Sequence, residues 1–310
     1  MAVLERNMVK QITASGGGTL TAQASESFRI KDVFCAPSTN DTYLTISVDG
    51  KTINKIRVKG KSGNHAPYPA MYGSALHEAV IGPGLFAALR ALGFDLTIPV
   101  PTGSILTVSR YAETGNVCLV YDRYPAGEVK AEEPNGPMAK VLRYLHYATQ
   151  AAAITSTPVT IDTSLIWTGG DKWPFDATAV GDDNLIRLAG ILAAPASRGN
   201  GSANKGYTTH LQMYREGDMI FDSKDQVGIP FLGDAAVTAD AASYKAVASV
   251  IGPMTDAQPK PGLILTPPLD FGPGEKLTTQ VVLAGAASGG LAASELDVCL
   301  LLERGPRTGR

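Results

Sequence analysis

The sequence predicts a mainly β protein built from two tandem β-sandwich domains, and three observations carry this prediction. Short apolar runs are separated by turn residues every 8–12 positions or so, which is typical of a sandwich or barrel. The chain has 310 residues, more than one hydrophobic core usually serves. The segment Val117–Pro125 (VCLVYDRYP) returns near the other end as Val298–Pro306 (VCLLLERGP). Two segments that end in the same way predict one unit folded twice.

The composition narrows the class of protein. Hydrophobic residues make up 44% of the chain, enough to fill two cores, and charged residues only 18%, which disfavours disorder. The net charge of −2 provides no overall positive field to attract nucleic acid or acidic lipid. No apolar run is long enough to span a bilayer, and the first residues lack the apolar core of a signal peptide. A soluble protein that is not exported by a cleaved signal is therefore expected.

The first domain is predicted over residues 28–126, after an N-terminal arm or first strand over 1–27. Asp49-Gly50 predicts the tight turn of a hairpin, because glycine accepts a positive φ without steric cost. Leu85–Leu92 predicts a short helix that ends at Gly93. The predicted strands are Val9–Ile12, as the first-strand option, and Phe28–Ala36, Tyr43–Val48, Lys51–Val58, Leu96–Val100, Ser104–Tyr111 and Val117–Tyr121.

Residues 127–155 are predicted to be a linker followed by a connector helix. Charged residues, proline and glycine occur together over Gly127–Pro137, as in linkers. Met138–Ala153 has the strongest helical pattern in the chain, because Val141, Leu142 and Leu145 fall on one face.

The second domain, predicted over 156–305 and followed by a tail over 306–310, repeats the order of the first. Ile186–Ala194 matches Phe28–Ala36, with Arg187 in the place of Arg29. His210–Phe221 matches Tyr43–Asn54 in sequence. Leu269–Val281 matches Ile98–Thr107 and extends past it. A helical segment is predicted over Ala239–Ile251, where Leu85–Leu92 stands in the first domain. The insertions between matched blocks fall in loops, where they are tolerated.

Residues that could carry catalysis are sparse, so no catalytic, cofactor-binding or metal-binding residue is predicted, and the chain is not expected to be an enzyme. No HxH pair occurs, and His77-Glu78 lacks the second histidine of a metalloprotease helix. The three cysteines, Cys35, Cys118 and Cys299, lie in apolar runs and are predicted to be buried free thiols. The four histidines are His65, His77, His146 and His210.

Trp167 and Trp173 flank a turn-rich segment at the start of the second domain. They are predicted to pack the entry of that domain or a subunit interface, where tryptophan is enriched. The alternative is a glycan contact, because exposed aromatic rings on a sandwich can stack on sugars.

Two β-sandwiches in tandem, each with a helix before its last strands, resemble the double jelly-roll coat proteins of icosahedral viruses and bacteriophages. The resemblance lies in the organisation of the repeat, and no short motif carries it. It implies two jelly rolls, a homotrimer that forms a pseudo-hexagonal capsomer, and contacts with neighbouring capsomers and other virion proteins. The expected function is therefore that of a self-assembling capsid subunit, found in the virion after assembly in the host cytoplasm.

Other functions remain open from the sequence. The chain could be a capsid decoration, spike or tail-associated protein, or a carbohydrate-binding β-sandwich protein that uses Trp167 and Trp173. An enzyme on a two-cupin frame is the weakest alternative, because clustered histidines are missing. No small-molecule substrate is expected, and nucleic-acid contact through Arg307 and Arg310 would be minor.

Overall fold

A computed structural model of the chain is mainly β, and the strand pairs whose register is described are antiparallel, apart from β5 with the two-residue strand β6. This arrangement is consistent with β-sandwiches. The structure describes residues 3–13, 17–35, 42–59, 71–72, 85–110, 116–149, 159–160, 184–193, 208–221, 228–230, 263–283 and 297–306. The predicted helix over 239–251 lies outside these residues.

The chain divides into two units. Of the described residues, unit 1 contains those up to Leu145 together with Glu303–Pro306, and unit 2 contains those within His146–Leu302.

Among the described residues, the first half of the chain contains nine strands and one helix, and the helix lies where Leu85–Leu92 is predicted to be helical. The elements are β1 (Glu5–Thr13), β2 (Gly18–Thr21), β3 (Glu26–Cys35), β4 (Thr42–Val48), β5 (Lys51–Lys59), β6 (Met71–Tyr72), α1 (Leu85–Ala91), β7 (Ile98–Val100), β8 (Ile105–Arg110) and β9 (Asn116–Pro125).

The described part of the second half contains nine further strands. They are β10 (Leu142–Thr149), β11 (Val159–Thr160), β12 (Asn184–Ala193), β13 (Thr208–Arg215), β14 (Asp218–Ile220), β15 (Ile229–Pro230), β16 (Leu263–Phe271), β17 (Leu277–Leu283) and β18 (Asp297–Pro306).

The same strand order occurs twice. In the first half the sheets are β1-β9-β3-β7 and β2-β8-β4-β5-β6. In the second half they are β10-β18-β12-β16 and β11-β17-β13-β14, with β15 paired to β13. If β6 and β15 are left out and each half is numbered afresh, both have the orders 1-8-3-6 and 2-7-4-5. The two closing segments that match in sequence, β9 and β18, thus occupy the same place.

Strands β3 and β12 each have a register irregularity at the same sequence position, although against different partner strands. The register of β3 with β9 shifts between Ile30 and Asp32, and the register of β12 with β16 shifts between Leu188 and Gly190. The sequence match of Arg29 with Arg187 makes these positions equivalent.

The turns of the β4–β5 and β13–β14 hairpins both adopt left-handed backbone conformations, with positive φ. Asp49 and Gly50 have φ values of 49° and 78°, and Glu216 and Gly217 have φ values of 50° and 95°. Two consecutive positive φ values characterise the turn whose twist matches that of paired strands. The need for a positive φ explains why glycine occupies the matching positions 50 and 217.

Alternating side chains build the core of each unit. In β8, Leu106 and Val108 are buried, whereas Ile105, the first residue of the strand, is exposed. Equivalent leucines, Leu44 of β4 and Leu211 of β13, are fully buried. The largest fully buried side chains are Phe86, Phe271, Ile30, Leu44, Ile46, Ile53, Ile56, Leu89 and Leu96.

The predicted connector helix over Met138–Ala153 is wrong. Leu142–Thr149 forms strand β10, which pairs with β18. The side-chain oxygen of Asn135 also accepts a hydrogen bond from the backbone N–H of Arg143 at 2.6 Å. Partners from other segments thus replace the internal bonds of a helix, and tertiary context overrides helix propensity. In the turns before β10, the backbone N–H of Asn135 donates a hydrogen bond to the carbonyl oxygen of Val141 at 3.0 Å.

Candidate interaction surface

The sheet β1-β9-β3-β7 buries one face in the core of unit 1, and its other face is partly exposed, although Asp32, opposite Val120, is buried there and binds α1. In β9, Leu119 and Tyr121 are buried in the core. Cys118 and Val120 alternate with these residues along the strand, point to the opposite face and are only partly buried.

Apolar side chains from three strands meet on this outer face. Val9 of β1 lies opposite Val120, and Phe34 of β3 lies opposite Cys118. Directly opposed residues of antiparallel strands share a face. Val9 is 68% exposed and Phe34 is 44% exposed. We call Val9, Phe34, Cys118 and Val120 the apolar patch.

A polar cluster lies next to the apolar patch and attaches the edge strand β1 to the sheet. Asp122 accepts a hydrogen bond from the backbone N–H of Asn7 at 2.8 Å, and its Oδ1 lies 3.4 Å from Lys31 Nζ. Lys31 also donates to the Asn7 side-chain oxygen at 2.8 Å. Asn7 has a φ of 54°, which asparagine adopts more readily than most residues. The cluster therefore fixes β1 at an irregular point of its pairing.

Arg29 extends this polar surface. Its guanidinium pairs with Glu133 at 2.5 Å and lies over the Tyr124 ring, 5.4 Å from the ring centre. These contacts hold the turn that carries Glu133 against the sheet. Arg29 with Glu133 and Lys31 with Asp122 therefore form ion pairs beside the apolar patch.

Asp32, at the bulge of β3, anchors helix α1. Its carboxylate accepts backbone N–H groups from Val33 at 2.9 Å, Phe86 at 3.2 Å and Ala87 at 3.1 Å. Burial raises the pKa of the Asp32 carboxyl above its ordinary value of 3.8, although these N–H groups and Arg90 act in the opposite direction. A buried carboxylate thus links the bulge to the helix.

We expect Asp32→Asn to change the pH dependence of stability. A carboxyl whose pKa is raised by folding contributes stability that is fully present below the unfolded pKa near 3.8 and is lost as pH rises through the folded pKa. The free energy of unfolding of the wild type, relative to Asp32→Asn, should therefore fall from about pH 4 towards neutral pH. Urea unfolding across this range measures it. Parallel pH profiles for the two proteins would contradict the expectation, and Asp218→Asn, at an exposed aspartate, controls for general loss of negative charge.

The residues that the sequence singled out for chemistry do not gather into a site in the part of the chain that the structure describes. His146 is buried in β10, and His210 lies in β13 opposite Val282 and Pro230. Within the described ranges, no group of three or more histidine, cysteine, aspartate or glutamate side chains is arranged to hold a metal ion. Trp167, Trp173, His65 and His77 lie outside the described residues.

Sequence reasoning did not identify the apolar patch. A signal was available, because Val33-Phe34-Cys35 and Val117–Val120 are continuous apolar runs rather than alternating ones. Such runs indicate a strand with two apolar faces, one of which needs a cover besides the core.

Comparison with known protein families and with curated protein sequences gives no match for this chain. Among the helical residues that the structure describes, none form a helix long and apolar enough to cross a membrane.

Proposed function

We propose that each unit is a jelly roll and that the chain is a virion structural protein, a self-assembling capsid subunit without catalytic activity. The observation that carries the proposal is the strand order 1-8-3-6 and 2-7-4-5, found twice. Eight strands in two antiparallel sheets are the ingredients of a jelly roll, an architecture used by viral capsid proteins.

The duplication supports the assembly part of the proposal. A chain with two similar units has two similar sets of lateral contact surfaces, so three chains around an axis have six. A pseudo-hexagonal trimer of this kind tiles a shell with one gene product. The resemblance in repeat organisation to double jelly-roll coat proteins supports this proposal, and the partners would be further copies of the chain and other virion proteins.

The exposed apolar patch supports self-association in particular. Isolated apolar side chains are normal on a surface, but several that adjoin across three strands indicate a contact surface. A capsid subunit needs such lateral surfaces, whereas a monomeric enzyme does not.

Self-assembly is tested by the oligomeric state of the full chain. We expect purified protein to run in size-exclusion chromatography with light scattering at three times the chain mass of 32.4 kDa, or as larger particles visible by electron microscopy. A protein that stays monomeric at the highest attainable concentration contradicts the capsid-subunit proposal.

The alternatives predict different results in the same preparation. A decoration, spike or tail-associated protein would attach to preformed particles without forming shells alone. A carbohydrate-binding protein would bind glycans and lose binding on Trp173→Ala. Jelly rolls also occur in cupins, so stoichiometric transition metal found by elemental analysis would favour an enzyme.

A further inference from the structure

A lysine, an asparagine and an aspartate from three adjacent strands meet beside the apolar patch. The Nζ atom of Lys31 in β3 donates to Oδ1 of Asn7 in β1 at 2.8 Å. The same Nζ lies 3.4 Å from Oδ1 of Asp122 in β9, which also accepts the backbone N–H of Asn7 at 2.8 Å. Because a C=O bond is about 1.23 Å long, the Lys31 nitrogen lies within about 4 Å of the Asn7 carboxamide carbon. An amine, a carboxamide and a carboxylate are therefore within reach of one another.

Register irregularities in both flanking strands bring these side chains together. Strand β9 separates β1 from β3, so side chains of the two outer strands meet only across it. The pairing of β1 with β9 shifts around Asn7, and the pairing of β3 with β9 shifts around Lys31. Asn7 also has a φ of 54°. Such irregularities re-aim side chains and are over-represented next to reactive sites.

The two reacting groups are held in place by further contacts. Arg90 of α1 donates to the backbone carbonyl oxygen of Lys31 at 2.6 Å, and Asp122 holds the backbone N–H of Asn7. The side chains of Lys31 and Asp122 are 30% and 12% exposed, whereas Asn7 is exposed, so a small leaving group escapes to solvent. Groups held in contact react without a bimolecular encounter, which accelerates even a slow reaction.

We propose that Lys31 and Asn7 become joined by an isopeptide bond, with Asp122 as the group that transfers protons. The Asp122 carboxylate takes a proton from the Lys31 ammonium, and the freed amine attacks Cγ of Asn7. A bond forms between Nζ and Cγ, and the bond between Cγ and Nδ2 breaks. The departing Nδ2 leaves as ammonium after it takes up, through Asp122, the two protons that Nζ loses. Atoms and charge balance without an oxidant or a co-reactant.

The matched position of the second repeat keeps the acid but not the amine. In the sequence match, Ala189 stands in the place of Lys31 and Glu303 in the place of Asp122. Glu303 pairs with Arg143 at 2.9 Å, and a guanidinium stays protonated and does not act as such a nucleophile. The bond would tie the edge strand β1 to β3 across β9 in the first repeat, and it does not depend on the proposed function.

Mass spectrometry of the denatured full chain tests the bond. We expect the wild type to be lighter than its sequence requires by the mass of one ammonia molecule. Lys31→Arg keeps the positive charge without the amine nucleophile, so it should show no such loss. After correction for the substitution, comparison of the two proteins also cancels any processing at the N-terminus. In a tryptic digest, the wild type should give a branched peptide that contains Asn7 and Lys31, without cleavage after Lys31.

Asp122→Asn tests the proton-transfer role, and Asp270→Asn, which removes an aspartate that pairs with Arg187, is the matched control. The linked fraction at successive times after cell-free synthesis gives the rate. We expect Asp122→Asn to lower it at least about 100-fold and the control to leave it unchanged. Linkage at the wild-type rate in Asp122→Asn would overturn the role of Asp122. A wild type of full mass that is cleaved after Lys31 would overturn the bond itself, and this result needs no variant to fold and leaves the capsid-subunit proposal standing.

Discussion

Gly190→Asp is expected to destabilise unit 2 by about 3 kcal/mol or more. A Cβ at this position would lie 2.9 Å from the carbonyl oxygen of Leu263 and 3.1 Å from Leu301 Cδ1. The carboxylate would also enter a buried position. In unit 1 the equivalent Asp32 is accommodated because three backbone N–H groups, two of them from α1, bind it.

Paired alanine variants separate the steric part of this effect from the electrostatic part. Gly190→Ala tests the clash alone, and Gly272→Ala is its control, because a Cβ there meets nothing closer than Glu275 Oε2 at 3.7 Å. Chemical denaturation followed by circular dichroism should rank Gly190→Asp below Gly190→Ala, and Gly190→Ala below Gly272→Ala. Equal stability of the three variants would show that the bulge of β12 is not packed as described.

The repeat was predictable because its signals are local. The closing strands β9 and β18 share an apolar block that stops at an acid–arginine pair, and the hairpins share a glycine at a turn that requires a positive φ. Short-range patterns of this kind depend on backbone conformation and side-chain period, which a single sequence carries.

The connector shows where local signals fail. Leu142–Thr149 contains residues that suit a helix, but it is short enough to be read as either element. Its pairing with β18 joins segments about 150 residues apart in the chain, and no local pattern reports such a partner.

The candidate surface was harder still to predict. The block Val-Cys-Leu occurs in both units, yet Cys299 is fully buried and Cys118 is partly exposed. Exposure of the second face of a strand is decided by what packs over it, and that depends on the assembled fold. The sequence therefore indicated that the closing strand has a second apolar face, but it did not show in which unit that face is exposed.

Leu44→Ala and Leu211→Ala are each expected to lower the free energy of unfolding by about 2–5 kcal/mol. Both leucines are fully buried, and they hold equivalent places in β4 and β13. Leu44 lies between Ile56 and Arg110 of the adjacent strands, and removal of its side chain leaves a cavity that rigid paired strands fill poorly. Urea denaturation monitored by circular dichroism measures both losses.

Ile105→Ala is the control, because Ile105 is an exposed strand residue of similar size and its truncation should cost much less. In the double variant the two losses should add to within about 0.5 kcal/mol, since each leucine lies in the core of its own unit. A large departure from additivity would mean that the two leucines are energetically coupled. Additive losses of similar size are the result expected if the duplicated strand order is matched by two cores that share no packing at these leucines, as a pair of similar building blocks in one chain requires.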